Sequence, residues 1–136
     1  MISFNYETDF KISNEQNFAV WISEVIASED CRLGEINYIF CNDNYLHDIN
    51  LKYLNHDTLT DIISFDYSVG KELHGDIYIS VDRVKENAKY FNVEFKEELK
   101  RVMVHGVLHY CGYKDKSEED KSIMRLKEDF YIKQLS

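Results

Sequence analysis

The residues best spaced for chemistry lie in HGVLHYCGYKD, positions 105–115, where His105 and His109 sit four apart and Asp115 follows ten residues after the first. On a helix, four residues are about 400° of rotation, so both imidazoles project from nearly one face and can serve one metal ion. Gly112 stands where such a helix would stop, because glycine tolerates the left-handed turn that ends many helices. A chain reversed there can bring Asp115 back toward the histidines. Two histidines and one carboxylate leave a coordination position open, the pattern of a catalytic rather than a structural zinc site. The plainer alternative is a hydrogen-bonded, half-buried histidine pair with no ion. Cys111 falls on another face and reads as a small packed residue rather than a ligand.

Gly106 narrows the chemistry. Zinc peptidases with H-E-x-x-H carry there the glutamate that takes a proton from the metal's water. Glycine cannot do this, so peptide hydrolysis loses ground. Phosphodiester cleavage gains, because a divalent ion can polarise a phosphoryl oxygen and stabilise developing charge.

These side chains need elements to hold them. Ile2, Phe4 and Tyr6 alternate with polar residues and predict a first strand. Ser13 and Gln16 have capping-box spacing, and Phe18, Trp21, Ile22, Val25 and Ile26 recur at helical period, which predicts a helix over about 14–29. Residues 35–41 (EINYIFC) predict a second strand, and 44–54 a helix after the cap residues Asn42 and Asp43. A polar connection leads to a third strand at 62–67. SVGKELHG reads as a hairpin loop into a fourth strand at 76–80, antiparallel to the third. Helices are expected over 81–91 with Val84, Ala88 and Phe91 on one face, over about 94–111 with both histidines, and over about 117–133 behind a SEED start. The order predicts an α+β fold: a single domain, residues 1–136, with a small mixed sheet of about four strands and about five helices.

Composition sets the setting. Aliphatic and aromatic residues make up 44% and charged residues 30%, with five glycines and no proline, so nothing resembles a linker. No apolar run approaches the ~18 residues of a membrane span, and the N-terminus lacks a signal peptide's pattern. Cys31, Cys41 and Cys111 are then expected as reduced thiols in a cytoplasmic protein. The net charge of −9 argues at first against a nucleic-acid partner. Its distribution weakens that objection: residues 1–80 carry a net of −10, and residues 81–136, which hold the histidines, a net of +1.

Three segments together resemble the YbeY family of bacterial rRNA maturation factors. HGVLHYCGY resembles the family's H-G-x-L-H-x-x-G-Y-D-H signature. Tyr53 and Asp57 followed by TDIISF at 60–65 resemble its Y-R-x-x-D-x-x-T-[DN]-V-L-S-F segment, and GDIYIS at 75–80 its G-D-I-x-I-S strand. The resemblance covers residues from about 40 to 130. It implies an α+β fold with a metalloprotease-like zinc helix, and a zinc-dependent endoribonuclease specific for single strands. The implied roles are 16S rRNA 3′-end maturation and ribosome quality control, and the implied partners are rRNA, the small ribosomal subunit and assembly proteins. Carried over by position, the metal ligands are His105, His109 and Asp115, the last standing where the family has a third histidine. Aspartate is a competent zinc ligand, and other divalent transition metals can occupy such a site in purified samples.

The chain departs from the pattern at Leu54, where the family carries an arginine; Lys52 and His56 are nearby cations in sequence or simply solvated surface. Asp57, Asp61 and Asp76 match family positions and could equally brace loops. Lys85, Lys89, Lys100 and Arg101 either track an RNA backbone or form i,i+4 pairs with Glu86, Glu97 and Glu98. No general base is assigned. Two alternatives to the nuclease stand: a non-catalytic ribosome assembly factor with a structural metal, and a peptidase-like metallohydrolase.

Overall fold

The computed structural model describes residues 1–54 and 60–135. His56 and Asp57 lie outside the described residues. Strands are β1 (Ile2–Tyr6), β2 (Arg32–Cys41), β3 (Ile62–Asp66) and β4 (Glu72–Ser80); helices are α1 (Glu15–Ser28), α2 (Asp43–Leu54), α3 (Val81–Phe91), α4 (Phe95–Tyr110) and α5 (Glu118–Ile132). The sheet order is β1-β2-β4-β3, with β2 parallel to both β1 and β4, and β3 antiparallel to β4. This is the expected α+β arrangement with a mixed sheet.

Alternation along the strands divides the sheet's two faces. Ile36, Tyr38 and Phe40 of β2 and Leu73, Ile77 and Ile79 of β4 are fully or almost fully buried in the main core with α1, α3, α4 and α5. On the opposite face Ile63, Phe65 and Tyr78 pack with Leu46 and Ile49 of α2 in a smaller cluster. Each fully buried large aliphatic side chain contributes roughly 1.5–3 kcal/mol. Ile77→Ala, at the centre of the main core, should cost about 2–5 kcal/mol.

Several boundaries differ from the sequence reading. Residues Glu72–Gly75 are strand rather than hairpin loop, because β4 extends to pair Arg32↔Glu72 and Leu33↔Leu73 with a β2 that also starts earlier, at Arg32. Tertiary pairing overrides the weak strand preference of Glu, His and Gly there. Ser13 does not cap α1: its N-cap is Asn14 in the left-handed region (φ 61°), without a side-chain cap bond. Phe91, expected on the buried face of α3, is 52% exposed at the helix end. Of the expected charge pairs, Lys89 meets Glu86 at 3.7 Å, three residues away rather than four. Arg101 and Lys100 instead reach across to α5 and the C-terminal segment, where Lys100 donates to the Leu135 carbonyl at 3.0 Å. The Ser117 cap holds, as a reciprocal capping box with Asp120.

Candidate metal centre

Helix α4 carries both histidines, and its face toward the core fixes where they point. Leu99, Val102, Met103, Val107 and Leu108 are buried, while Glu98, Arg101, His105 and His109 border a cleft of about 480 Å³ between α4, α5 and the start of β3. Two contacts hold the helix in place. Tyr38 of β2 donates its hydroxyl to the Met103 carbonyl at 2.9 Å. Tyr110, one residue past His109, donates to the Phe65 carbonyl at 2.9 Å, and its hydroxyl also reaches the Asp76 carbonyl at 3.3 Å. That reach depends on Gly75, where a Cβ would lie 2.3 Å from the tyrosine oxygen and 2.5 Å from the Phe65 carbonyl oxygen.

The helix stops as the glycine predicts. Gly112 has φ +108°; its N–H bonds to His109 O at 3.0 Å, and the Tyr113 N–H to Leu108 O at 3.1 Å. These are the two bonds of a Schellman turn, which reverses the chain after a helix. The turn points the Tyr113 carbonyl at His109, whose Nδ1 lies 2.9 Å from it. A carbonyl only accepts, so His109 Nδ1 carries the proton and Nε2 presents its lone pair. On the other ring, His105 Nδ1 donates to Glu128 Oε2 at 2.7 Å, which likewise directs the Nε2 lone pair inward.

The three expected ligands converge. His105 Nε2 and His109 Nε2 are 3.0 Å apart, and each lies 3.3 Å from Asp115 Oδ2. Among the described residues these three form the group able to hold one ion. The 3.0 Å approach of the two Nε2 atoms requires something positive between them, either a proton shared as an N–H···N hydrogen bond or a metal ion. Zinc bonds of about 2.0–2.1 Å in a tetrahedron separate ligand atoms by roughly 3.3–3.4 Å, so the donor set fits one face of that polyhedron. The Asp115 side chain is 43% exposed and the histidine side chains are 21% and 30% exposed, so the group faces the open cleft.

Glu128 is the site residue that sequence reasoning missed. It is buried, and Arg101 holds it: Nη1 meets Glu128 Oε1 at 3.0 Å while Nη2 meets Asp129 Oδ1 at 2.7 Å. Burial works against a proton on His105, yet the Glu128 hydrogen bond and charge, with Asp115 and Asp61, prevail and raise its pKa. Glu128 lies 23 residues beyond His105 on a separate helix, so no local spacing announces it. Asp61 lines the cleft, accepts from Asn87 Nδ2 at 3.3 Å, and is pushed toward its neutral form by burial. Asp76 braces the sheet, accepting from Asn37 Nδ2 at 3.0 Å. Leu54 is 42% exposed at the end of α2 and does not line the cleft. Gly106 packs on the sheet: a Cβ there would press on Ile62 and Ile77 at 3.1–3.2 Å.

A family model described as Endoribonuclease YbeY matches residues 3–136. The chain belongs to the YbeY endoribonuclease family. Curated YbeY endoribonucleases of Flavobacterium johnsoniae and Flavobacterium psychrophilum are 68% and 66% identical to it. The alignments cover 95% of this chain and 93% of the relative in the first case, and 98% and 99% in the second. The solution structure of TM1509 from Thermotoga maritima shares the fold, with a TM-score of 0.71 at 24% identity over 99% of this chain and 89% of that one. YbeY membership thus agrees with the resemblance carried by the three segments. Among the described residues, no helix is long and apolar enough to cross a membrane.

Proposed function

We propose that this YbeY-family chain is a zinc-dependent endoribonuclease that cuts single-stranded RNA. Its biological substrate is the 3′ region of 16S rRNA, met on the small ribosomal subunit in the cytoplasm. The observation that carries the reading is the convergence of His105, His109 and Asp115 on one point in an open cleft, in a chain of an endoribonuclease family. A zinc ion held by those three residues would supply Lewis-acid polarisation of a phosphoryl oxygen. The chain's own part is to hold the donors ready: Glu128 and the Tyr113 carbonyl fix both Nδ1 atoms, so neither ring must turn when substrate enters. Gly106 supplies no peptidase-type base, and a glutamate there would have to displace Ile62 and Ile77.

The test is cleavage of labelled single-stranded RNA carrying a 16S 3′ end, with casein in parallel. RNA cleavage that is lost on adding chelator, restored by zinc and absent from His109→Ala is the expected result. Casein cleavage would overturn the nuclease in favour of a peptidase. Leu54, in place of the family's arginine, favours one second reading, a non-catalytic assembly factor. Intact RNA together with co-sedimentation of the protein on small subunits would establish it.

A further inference from the structure

The cleft offers one further assignment, which rests on the nuclease reading. Beyond the three candidate ligands its walls carry three carboxylates, Asp61 from the segment before β3, Glu98 from α4 and Glu128 from α5. RNA brings a phosphate at every nucleotide, so a cation must meet the phosphates beside the cut. Two arginines line the cleft, Arg101 and Arg125. Arg101 is already committed, since its side chain is only 14% exposed and its guanidinium forks onto Glu128 and Asp129. Releasing it would free the carboxylate that holds His105.

Arg125 differs on each count. It stands on α5 one turn before Glu128, is exposed, and makes no ion pair among the described residues. Its charge is felt in the cleft, where it favours the ionised form of the otherwise buried Glu98. A guanidinium with five donors and no ion-pair partner among the described residues, at the rim of a candidate phosphodiesterase site, matches what a phosphate requires.

We infer that Arg125 is the phosphate-binding residue of this cleft, engaging a backbone phosphate of single-stranded RNA next to the scissile one. The position differs from Leu54, so the cation would be supplied from α5 rather than from α2.

The experiment uses the full chain loaded with zinc and a fluorescent single-stranded RNA, with kcat/KM followed between 50 and 200 mM salt, roughly the range in which phosphate contacts are most visible. Losing a charged hydrogen-bonded contact lowers kcat/KM by about 10- to 100-fold, so Arg125→Gln should fall that far while Arg125→Lys falls less. One phosphate contact fewer should also make the slope of log(kcat/KM) against log[salt] shallower by about 0.7. Zinc content should stay at the wild-type level, and Lys121→Gln, an equal charge change elsewhere on α5, should leave the rate and slope unchanged. An active wild type with Arg125→Gln within twofold of it, or with the same salt slope, overturns the Arg125 assignment alone. A wild type that neither cuts nor binds the RNA overturns the nuclease reading and this inference together.

Discussion

Removing the Glu128 carboxylate should weaken the proposed metal site without removing a ligand. Its hydrogen bond fixes the tautomer and ring angle of His105, and lost partners of this kind typically reduce metal affinity 10- to 100-fold. Glu128→Gln is therefore expected to bind zinc about that much more weakly in a competition titration, with the fold kept as judged by circular dichroism. Asp115→Ala, which removes a proposed ligand outright, should fall further. In a zinc-soaked crystal, an anomalous peak more than about 3 Å from the Asp115 carboxylate would rule that residue out as a ligand, since Zn–O bonds run about 2.0–2.2 Å. That His105, His109 and Asp115 come together was legible in the sequence because a helix and its terminating glycine are local devices. Glu128 and Arg101 were not, because their pairing exists only once α5 has packed against α4.

At the scale of elements, the region behind the site is held by one carboxylate. Glu29, just past α1, accepts from the Tyr113 hydroxyl at 2.6 Å, from Lys127 Nζ at 3.1 Å and from the Tyr131 hydroxyl. It thereby joins α1, the loop after α4 and α5, and steadies the residue whose carbonyl orients His109. Burial alone would raise the Glu29 pKa, but the Tyr113, Tyr131 and Lys127 contacts outweigh it and bring it below the usual glutamate value. A carboxylate with a depressed folded-state pKa contributes stability that is present above its unfolded pKa and lost as pH falls through the folded one. Acid unfolding of the wild type should thus steepen below the ordinary glutamate range, near pH 4.3. Glu29→Gln should be less stable at pH 7 by about 1.5–3 kcal/mol and lose part of that steepness, as read by urea unfolding at a series of pH values. Helices were well marked in the sequence: the SEED start opens α5 as expected, with Ser117 accepting from the Asp120 N–H within one turn. The first half of β4 was hidden: Glu72, His74 and Gly75 become strand only through β2, some 40 residues earlier in the chain.

For the molecule as a whole, an ion bound only by the folded state is also a stabiliser. At 100 times its dissociation constant zinc would add about 2.7 kcal/mol, which for a chain of this size raises Tm by roughly 10 °C. Calorimetry should show that rise in the wild type and none in His109→Ala. The uneven charge reported by the sequence acquires a physical place: α4 and α5, which border the candidate site, come from the near-neutral half, while the acidic half builds the whole sheet. What the composition could not convey is how those halves are indexed to each other, and that is the role of Gly75. The glycine leaves an opening in the strand through which the Tyr110 hydroxyl reaches the backbone. Each residue of a helix advances the phase by about 100°, so slippage of α4 by even one position would swing both imidazoles out of the cleft. A missing methyl group in a strand thus works as a keyway for the helix. Gly75→Ala, though it touches no ligand, would be read out as a protein that has lost its grip on metal.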